Sequence, residues 1–292
     1  MTEDLQGQLL YHYTSAEGLL GIVRTTTLWA SDALFLNDAS ELTFAKDVLL
    51  VLGDERVRGG ADSEAWEELR EQIVSYFPDS GDARLPGDGS VYVTSFSTDP
   101  DSLNMWQGYS RKGGFAVGFS TDDILTGLAV GGFSPESGSR FDLTPDEWQQ
   151  FWGDNFQLTG SFRAVRYGEG EARAGLAATV DAIFSGSGEI DVWRVLEELA
   201  CFKHEAFRVE REVRLIVRVP SCIGPRPDVR SARGHLVPYE RVRFPHGALR
   251  EIRIGPGPYA KRSERALQHY LATPRGEWSQ VAISASGIPF IP

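Results

Sequence analysis

Apolar residues along this chain switch between a period of two and a period of 3.6, and the switches mark its elements. Leu9, Leu10, Tyr11 and Tyr13 form a short apolar and aromatic run with His12 inside it. At Thr14 the pattern changes. Thr14-Ser15-Ala16-Glu17 has the spacing of a capping box, and Leu19, Leu20, Ile22 and Val23 follow at helical spacing. This predicts a buried strand that ends beside a helix N-terminus. Residues 25–31 (TTTLWAS) are β-branched and aromatic, a second strand. Leu34-Phe35-Leu36 leads into Asn37-Asp38-Ala39-Ser40-Glu41, another cap-like signal, and Leu42, Ala45, Leu49 and Leu52 share one face of the helix it starts. Residues 53–63, rich in Gly and charge, read as a loop. Trp66, Leu69, Ile73 and Phe77 then mark an amphipathic helix, and residues 78–89 an exposed loop.

A second block follows the same logic. Residues 91–97 (VYVTSFS) predict a strand, Asp99-Pro100 a helix N-cap and first turn, and Leu103, Met105, Trp106 and Tyr109 the helix body. Gly113-Gly114 closes it before a strand over 115–120. This unit brings Ser95, Ser97, Trp106 and Tyr109 close together, although Trp106 and Tyr109, at i and i+3, also fit plain core. From Thr121 to Gly160 the chain is Gly-, Ser- and acid-rich, with a helix opened by Thr144-Pro145-Asp146-Glu147. Residues 161–167 alternate as a strand, and helices are expected over about 169–184 and 191–204. In the third block, alternation from Val209 to Val219 places Glu210, Glu212, Arg214, Ile216 and Arg218 on one face, opposite Val209, Arg211, Val213, Leu215, Val217 and Val219. Glu212 and Arg214 can pair there or converge on a ligand, and a solvated charged face is the plain alternative. Late strands near 236–239, 249–256 and 280–283 and a helix near 259–271 finish the chain.

Composition narrows this picture. The 292 residues are 41% apolar and 24% charged, an ordinary globular balance. A net charge of -12 argues against a broad basic nucleic-acid-binding face, although arginines cluster in the last third and leave room for a local anionic ligand. Cys201 and Cys222 form no C-x-x-C, the five histidines form no H-x-x-x-H, and no metal is expected. The polar, acidic start is unlike a signal peptide, and no apolar run is long enough to span a bilayer, so a cytoplasmic protein with no membrane contact is expected. No repeat or biased linker defends a boundary. The expectation is one domain over 1–292, its core over about 9–256, with helical insertions near 53–90 and 121–160. The junction at Thr14 is the first candidate site, because a helix N-terminus offers free N–H groups and a positive dipole end to an anion. A lone histidine in an apolar strand, by contrast, more often has a structural role.

Six motifs occur in order: LYHYTS (10–15), LNDASE (36–41), SFS (95–97) with Trp106 and Tyr109, GFAVGF (114–119), Glu210-x-Glu212-x-Arg214, and IGP (254–256). This succession resembles the bacterial family catalogued as domain of unknown function 2971, from about Leu9 to Pro256. Val213 stands where that family usually has an aromatic residue, and Ala39 where it prefers proline. More distantly, a histidine on the first strand, a serine or tyrosine on a middle strand–helix unit and a glutamate on a late strand are similar to the ADP-ribosyltransferase superfamily, including its DNA-modifying toxin members. The resemblance implies an α+β fold, a split antiparallel or mixed sheet flanked by helices, with NAD in the cleft. It places NAD contacts at His12, Tyr13, Thr14, Ser15, Ser95, Ser97, Trp106 or Tyr109, and Arg214. Glu212 would be the catalytic carboxylate and Glu210 its rival. The activity implied is transfer of ADP-ribose to a nucleic-acid or protein acceptor, as in a toxin or phage-defence effector, or hydrolysis of NAD. The alternative is an NAD- or nucleotide-binding sensor or interaction module without turnover. A metal-dependent hydrolase built on Asp38, Glu41, Glu210 and Glu212 lacks the ligand spacing. The oligomeric state is open.

Overall fold

The computed structural model describes residues 5, 7–36, 39–62, 64–77, 90–109, 113–126, 129–130, 160–185, 192–219, 227–232, 234–272 and 276–289. In chain order its strands are β1 (Leu9–Thr14), β2 (Thr27–Asp32), β3 (Ser90–Ser97), β4 (Phe115–Ser120), β5 (Ala129–Val130), β6 (Gly160–Ala164), β7 (Arg166–Tyr167), β8 (Phe202–Lys203), β9 (Glu212–Val219), β10 (Asp228–Ala232), β11 (His235–Arg243), β12 (Leu249–Ile254) and β13 (Ala282–Ala285). Its helices are α1 (Ala16–Thr25), α2 (Ala39–Arg58), α3 (Glu64–Tyr76), α4 (Leu103–Tyr109), α5 (Thr121–Thr126), α6 (Glu169–Phe184), α7 (Val192–Leu199) and α8 (Ala260–Leu271).

Strand β3 positions the rest. Its residues are buried except Ser90 and Ser95, which fits a strand with packing on both faces. One edge pairs antiparallel with β9 along its whole length, from Ser90↔Val219 to Ser97↔Glu212. The other edge is shared between two strands. β2 pairs at Tyr92 and Val93, β1 only at Ser97, and between them the sheet splits. The described strands of this sheet run β10-β11-β2-β3-β1-β4-β12-β13, with β9 and β6 beyond β3 and β5 beside β11. All its pairings are antiparallel except β12–β13, and β7 and β8 form a separate parallel pair. The chain is therefore a mixed α+β fold with helices flanking a mixed sheet.

Three apolar clusters hold the layers. One joins α1 and α8 to Tyr92, Phe96, Phe119, Val213 and Leu215. The second packs α2, α3, α6 and α7 against Val91, Val93 and Ile216. The third, small, sets Met105 and Trp106 of α4 on Tyr11, Tyr13 and Ala116. The described residues contain no helix long and apolar enough to cross a membrane.

Several local expectations move. The cap of α1 is Ser15, whose Oγ accepts from Gly18 N–H, while Thr14 still belongs to β1. α2 runs through 53–58, expected as loop, because Gly53 lies against the indole of the fully buried Trp66 and lets α3 approach. Asp99 does not cap α4. Its Oδ1 accepts from Asp101 N–H in a turn, and the helix starts at Leu103. The strand expected over 161–167 breaks at Val165, whose N–H donates to Glu212 O, so β6 and β7 join different sheets. The helix expected over 191–204 ends at Leu199. β9 starts only at Glu212, because residues 205–210 form a 3-10 helix and Arg211 adopts φ +45°. Residues 78–89 and the helix expected from Thr144 lie outside the described residues.

Alanine at a helical glycine ordinarily stabilises by about 1 kcal/mol. At Gly53 the added Cβ overlaps the Trp66 indole. Gly53→Ala is therefore expected to destabilise the protein by about 1–3 kcal/mol, read as a lowered urea midpoint.

Two buried carboxyls link stability to pH. Burial pushes Asp32 up to about 6, against the Leu34 N–H bond that lowers it. Burial, with Asp228 nearby, pushes Glu240 up to about 7. Both bind a proton more tightly folded than unfolded, so their contribution is greatest below about pH 4 and falls as pH rises through 6–7. The urea midpoint is expected to drop between pH 5 and pH 8, and Glu240→Gln to shrink that drop.

Candidate functional site

The split in the sheet opens a cleft of about 680 Å³. β1 supplies His12, Tyr13 and Thr14 to its wall, and Ser15 and Gly18 follow at the start of α1. β2 supplies Thr27, Trp29 and Ser31, β3 the segment Val93 to Phe96, and α4 Met105 and Tyr109. Glu210, Glu212, Arg230 and Arg241 bring its charged side chains, with Glu17 of α1. Thr94, buried, and Ser95, exposed, are neighbours on β3 and both line the cleft.

His12 sits where the strands part. Its Nδ1 lies 2.9 Å from Ser95 O, a carbonyl that faces the gap between β1 and β2. The carbonyl can only accept, so Nδ1 carries the proton. Burial holds the ring below the usual histidine pKa, with Arg230 adding to the effect and the Ser95 carbonyl opposing it. The ring is thus neutral at pH 7 and its Nε2, which has no partner among the described residues, is an acceptor.

Across the cleft lies a chain of charges. Lys203 Nζ is 2.6 Å from Glu210 Oε2 and 2.8 Å from Glu212 Oε2. Arg214 forks Glu212, with Nε 2.7 Å from Oε1 and Nη2 3.2 Å from Oε2, while its Nη1 donates to Ala200 O at 2.7 Å. Tyr109 OH donates to Glu210 Oε1 at 3.0 Å. The left-handed Arg211 turns the chain between the two glutamates, so Glu210 ends the 3-10 helix and Glu212 starts β9. Burial alone would push Glu212 up, but Arg214 and Lys203 outweigh it and hold the carboxyl at about 2. The side chain of Glu212 is 4% exposed, that of Glu210 12%. Glu210 is the carboxylate more open to the cleft.

Of the residues expected at the site, His12, Tyr13, Thr14, Ser15, Ser95, Tyr109, Glu210 and Glu212 line this cleft. Three do not. Ser97 is buried; its Oγ donates to Glu210 O at 2.7 Å and accepts from Asp99 N–H, which fastens the turn before β9 to β3. Trp106 is core: its indole meets the Tyr13 ring edge-on at 4.7 Å and its Nε1 donates to Asp101. Arg214 stands behind Glu212. Tyr13 OH is itself engaged, donating to Asp99 O and accepting from Ser102 N–H. Asn37, Asp38 and the Glu41 side chain lie outside the described residues. Sequence reasoning missed Lys203, Arg230, Arg241 and Trp29. Lys203 was assigned to a helix end, and a lysine with 3% side-chain exposure is visible only once its two carboxylates are placed.

The described residues hold no group of three or more His, Cys, Asp or Glu that could bind a metal ion. No curated protein and no solved structure matches the chain. A family model, described as a protein of unknown function (DUF2971), matches residues 105–215, which carry Tyr109, Glu210 and Glu212 of the cleft and the Lys203 and Arg214 that hold the glutamates, but not the His12 strand.

Proposed function

We propose that the chain is an NAD-consuming enzyme of the ADP-ribosyltransferase type, cleaving the nicotinamide–ribose bond and passing ADP-ribose to a nucleic-acid or protein acceptor. One observation carries this reading: His12, Ser95, Tyr109 and Glu210, contributed by separate elements, meet in one cleft at a split in the sheet. A cleft of about 680 Å³ is of the size that encloses a small ligand. Loss of nicotinamide develops positive charge on the ribose, and a fixed carboxylate is the side chain that stabilises it. Glu210 is better suited to that task than Glu212. Two cations take both oxygens of Glu212 and cancel its field, whereas Glu210 shares only Lys203 and takes a neutral hydroxyl on its other oxygen. In this reading Glu212 holds Lys203, Lys203 and Tyr109 aim Glu210, and neutral His12 accepts from a ribose hydroxyl.

The test is direct. Purified protein incubated with NAD is expected to release nicotinamide, and label on the adenylate half to enter nucleic acid or protein from a lysate. Release without incorporation would leave NAD hydrolysis; neither binding nor release would sink the proposal. One feature favours a second reading, a binding module without turnover: the charges of Glu210, Lys203, Glu212 and Arg214 cancel. That module would bind NAD and release no nicotinamide.

A further inference from the structure

Arg230 differs from the other cations in and behind the cleft. Lys203 is closed between Glu210 and Glu212, and Arg241 faces Asp228 at 2.6 Å. Arg230 has no carboxylate partner among the described residues. Its Nη2 donates to Ser31 Oγ at 2.9 Å, and its Nε is buried with no acceptor among the described residues. A guanidinium carries five N–H donors, and a partly buried one left unneutralised is costly. An anion entering the cleft would relieve that cost, and the planar fork suits phosphoryl oxygens.

A second feature stands beside it. Trp29 precedes Ser31 by two residues on β2, so both side chains leave the same face, about 7 Å apart. Its ring stacks on Tyr239, with centroids 4.4 Å apart and planes at 29°, yet Trp29 remains 51% exposed and lines the cleft. Tyr239 backs one face of the indole, and half of the residue's surface stays exposed. Such a surface accepts any base, because stacking needs only a π surface.

We propose that Arg230 and Trp29 form a nucleotide subsite on the β2 side of the split, the guanidinium binding a phosphoryl group and the indole stacking the attached base. The subsite deepens the NAD reading and rests on it for the identity of the nucleotide, which would be the adenylate half. Calorimetry on the full chain with inorganic pyrophosphate and with ADP tests it. Wild-type protein is expected to bind both, ADP more tightly. Arg230→Gln should weaken both by about tenfold or more, the size of a lost charged hydrogen bond, and Arg230→Lys by less. Trp29→Ala should weaken ADP severalfold and leave pyrophosphate within about twofold, since stacking alone is lost. If Arg230→Gln unfolds the protein, Trp29→Ala decides. Wild-type binding of neither ligand, unchanged binding in Arg230→Gln, or equal loss of both ligands in Trp29→Ala would each overturn the subsite. Retained ADP binding without nicotinamide release would sink the enzyme reading and leave the subsite standing.

Discussion

Glu210→Gln is expected to lower nicotinamide release from NAD by about 10²–10³-fold, the usual cost of removing one preorganised charge-stabilising group. The amide keeps the shape of the carboxylate and can still accept from Tyr109 OH. Lys203 stays paired with Glu212, so the fold should hold and the thermal midpoint should stay close to that of wild type. Glu212→Gln is expected to behave differently. It strips the shared counter-ion from two buried cations, Lys203 and Arg214, and should cost stability together with activity. Turnover and melting measured side by side separate the roles. Full activity in Glu210→Gln would remove it from the chemistry. Loss of turnover in Glu212→Gln at unchanged stability would make Glu212 the acting group.

Arg214→Met is expected to destabilise the protein by about 3–5 kcal/mol, the range for breaking one partner out of a buried ion pair. Arg214 is 1% exposed and its three nitrogens serve both oxygens of Glu212 and the carbonyl of Ala200 at the end of α7. Methionine fills much of the same volume but satisfies none of these groups. Glu212 would keep one cation, Lys203, and lose the fork that offsets its burial, so its pKa would rise and the stability it contributes above pH 4.5 would shrink. For a chain of this size the loss corresponds to a fall in melting temperature of roughly 5–8 °C. Adding Glu212→Leu should recover part of it, because an apolar pair is cheaper to bury than a single charge. A loss below about 1 kcal/mol in Arg214→Met would mean that this carboxylate is not anchored as described.

The elements with a clear period were legible in the sequence. The change of pattern at Thr14 marks the β1–α1 junction to within one residue, and α6 has the expected bounds. Alternation also identified β9, but it ran back to Val209 because nothing in the letters announces the left-handed Arg211. The reading failed where tertiary contact decides: Gly53 looks like a helix breaker until Trp66 is seen against it. The site divides the same way. His12, Ser95 and Glu212 were found through a resemblance in their order along the chain. Lys203 and Arg230 were not, since the first is defined by two carboxylates that only the 3-10 turn brings back onto it, and the second by the lack of one among the described residues.

The bond from His12 to the Ser95 carbonyl has a consequence for what the cleft selects. A strand residue in an antiparallel sheet turns its N–H and C=O toward the same neighbour. At Ser95 that neighbour is missing, since β2 has already left at Val93 and β1 arrives only at Ser97. A primary carboxamide carries one donor and one acceptor side by side, as a peptide unit does. Entering the gap, it would dock as the missing residue of a neighbouring strand, pairing with the main chain of Ser95 beside the imidazole. Recognition of that kind would survive Ser95→Ala, because it would use the main chain and not the side chain, and nicotinamide release from NAD by Ser95→Ala compared with wild type checks it.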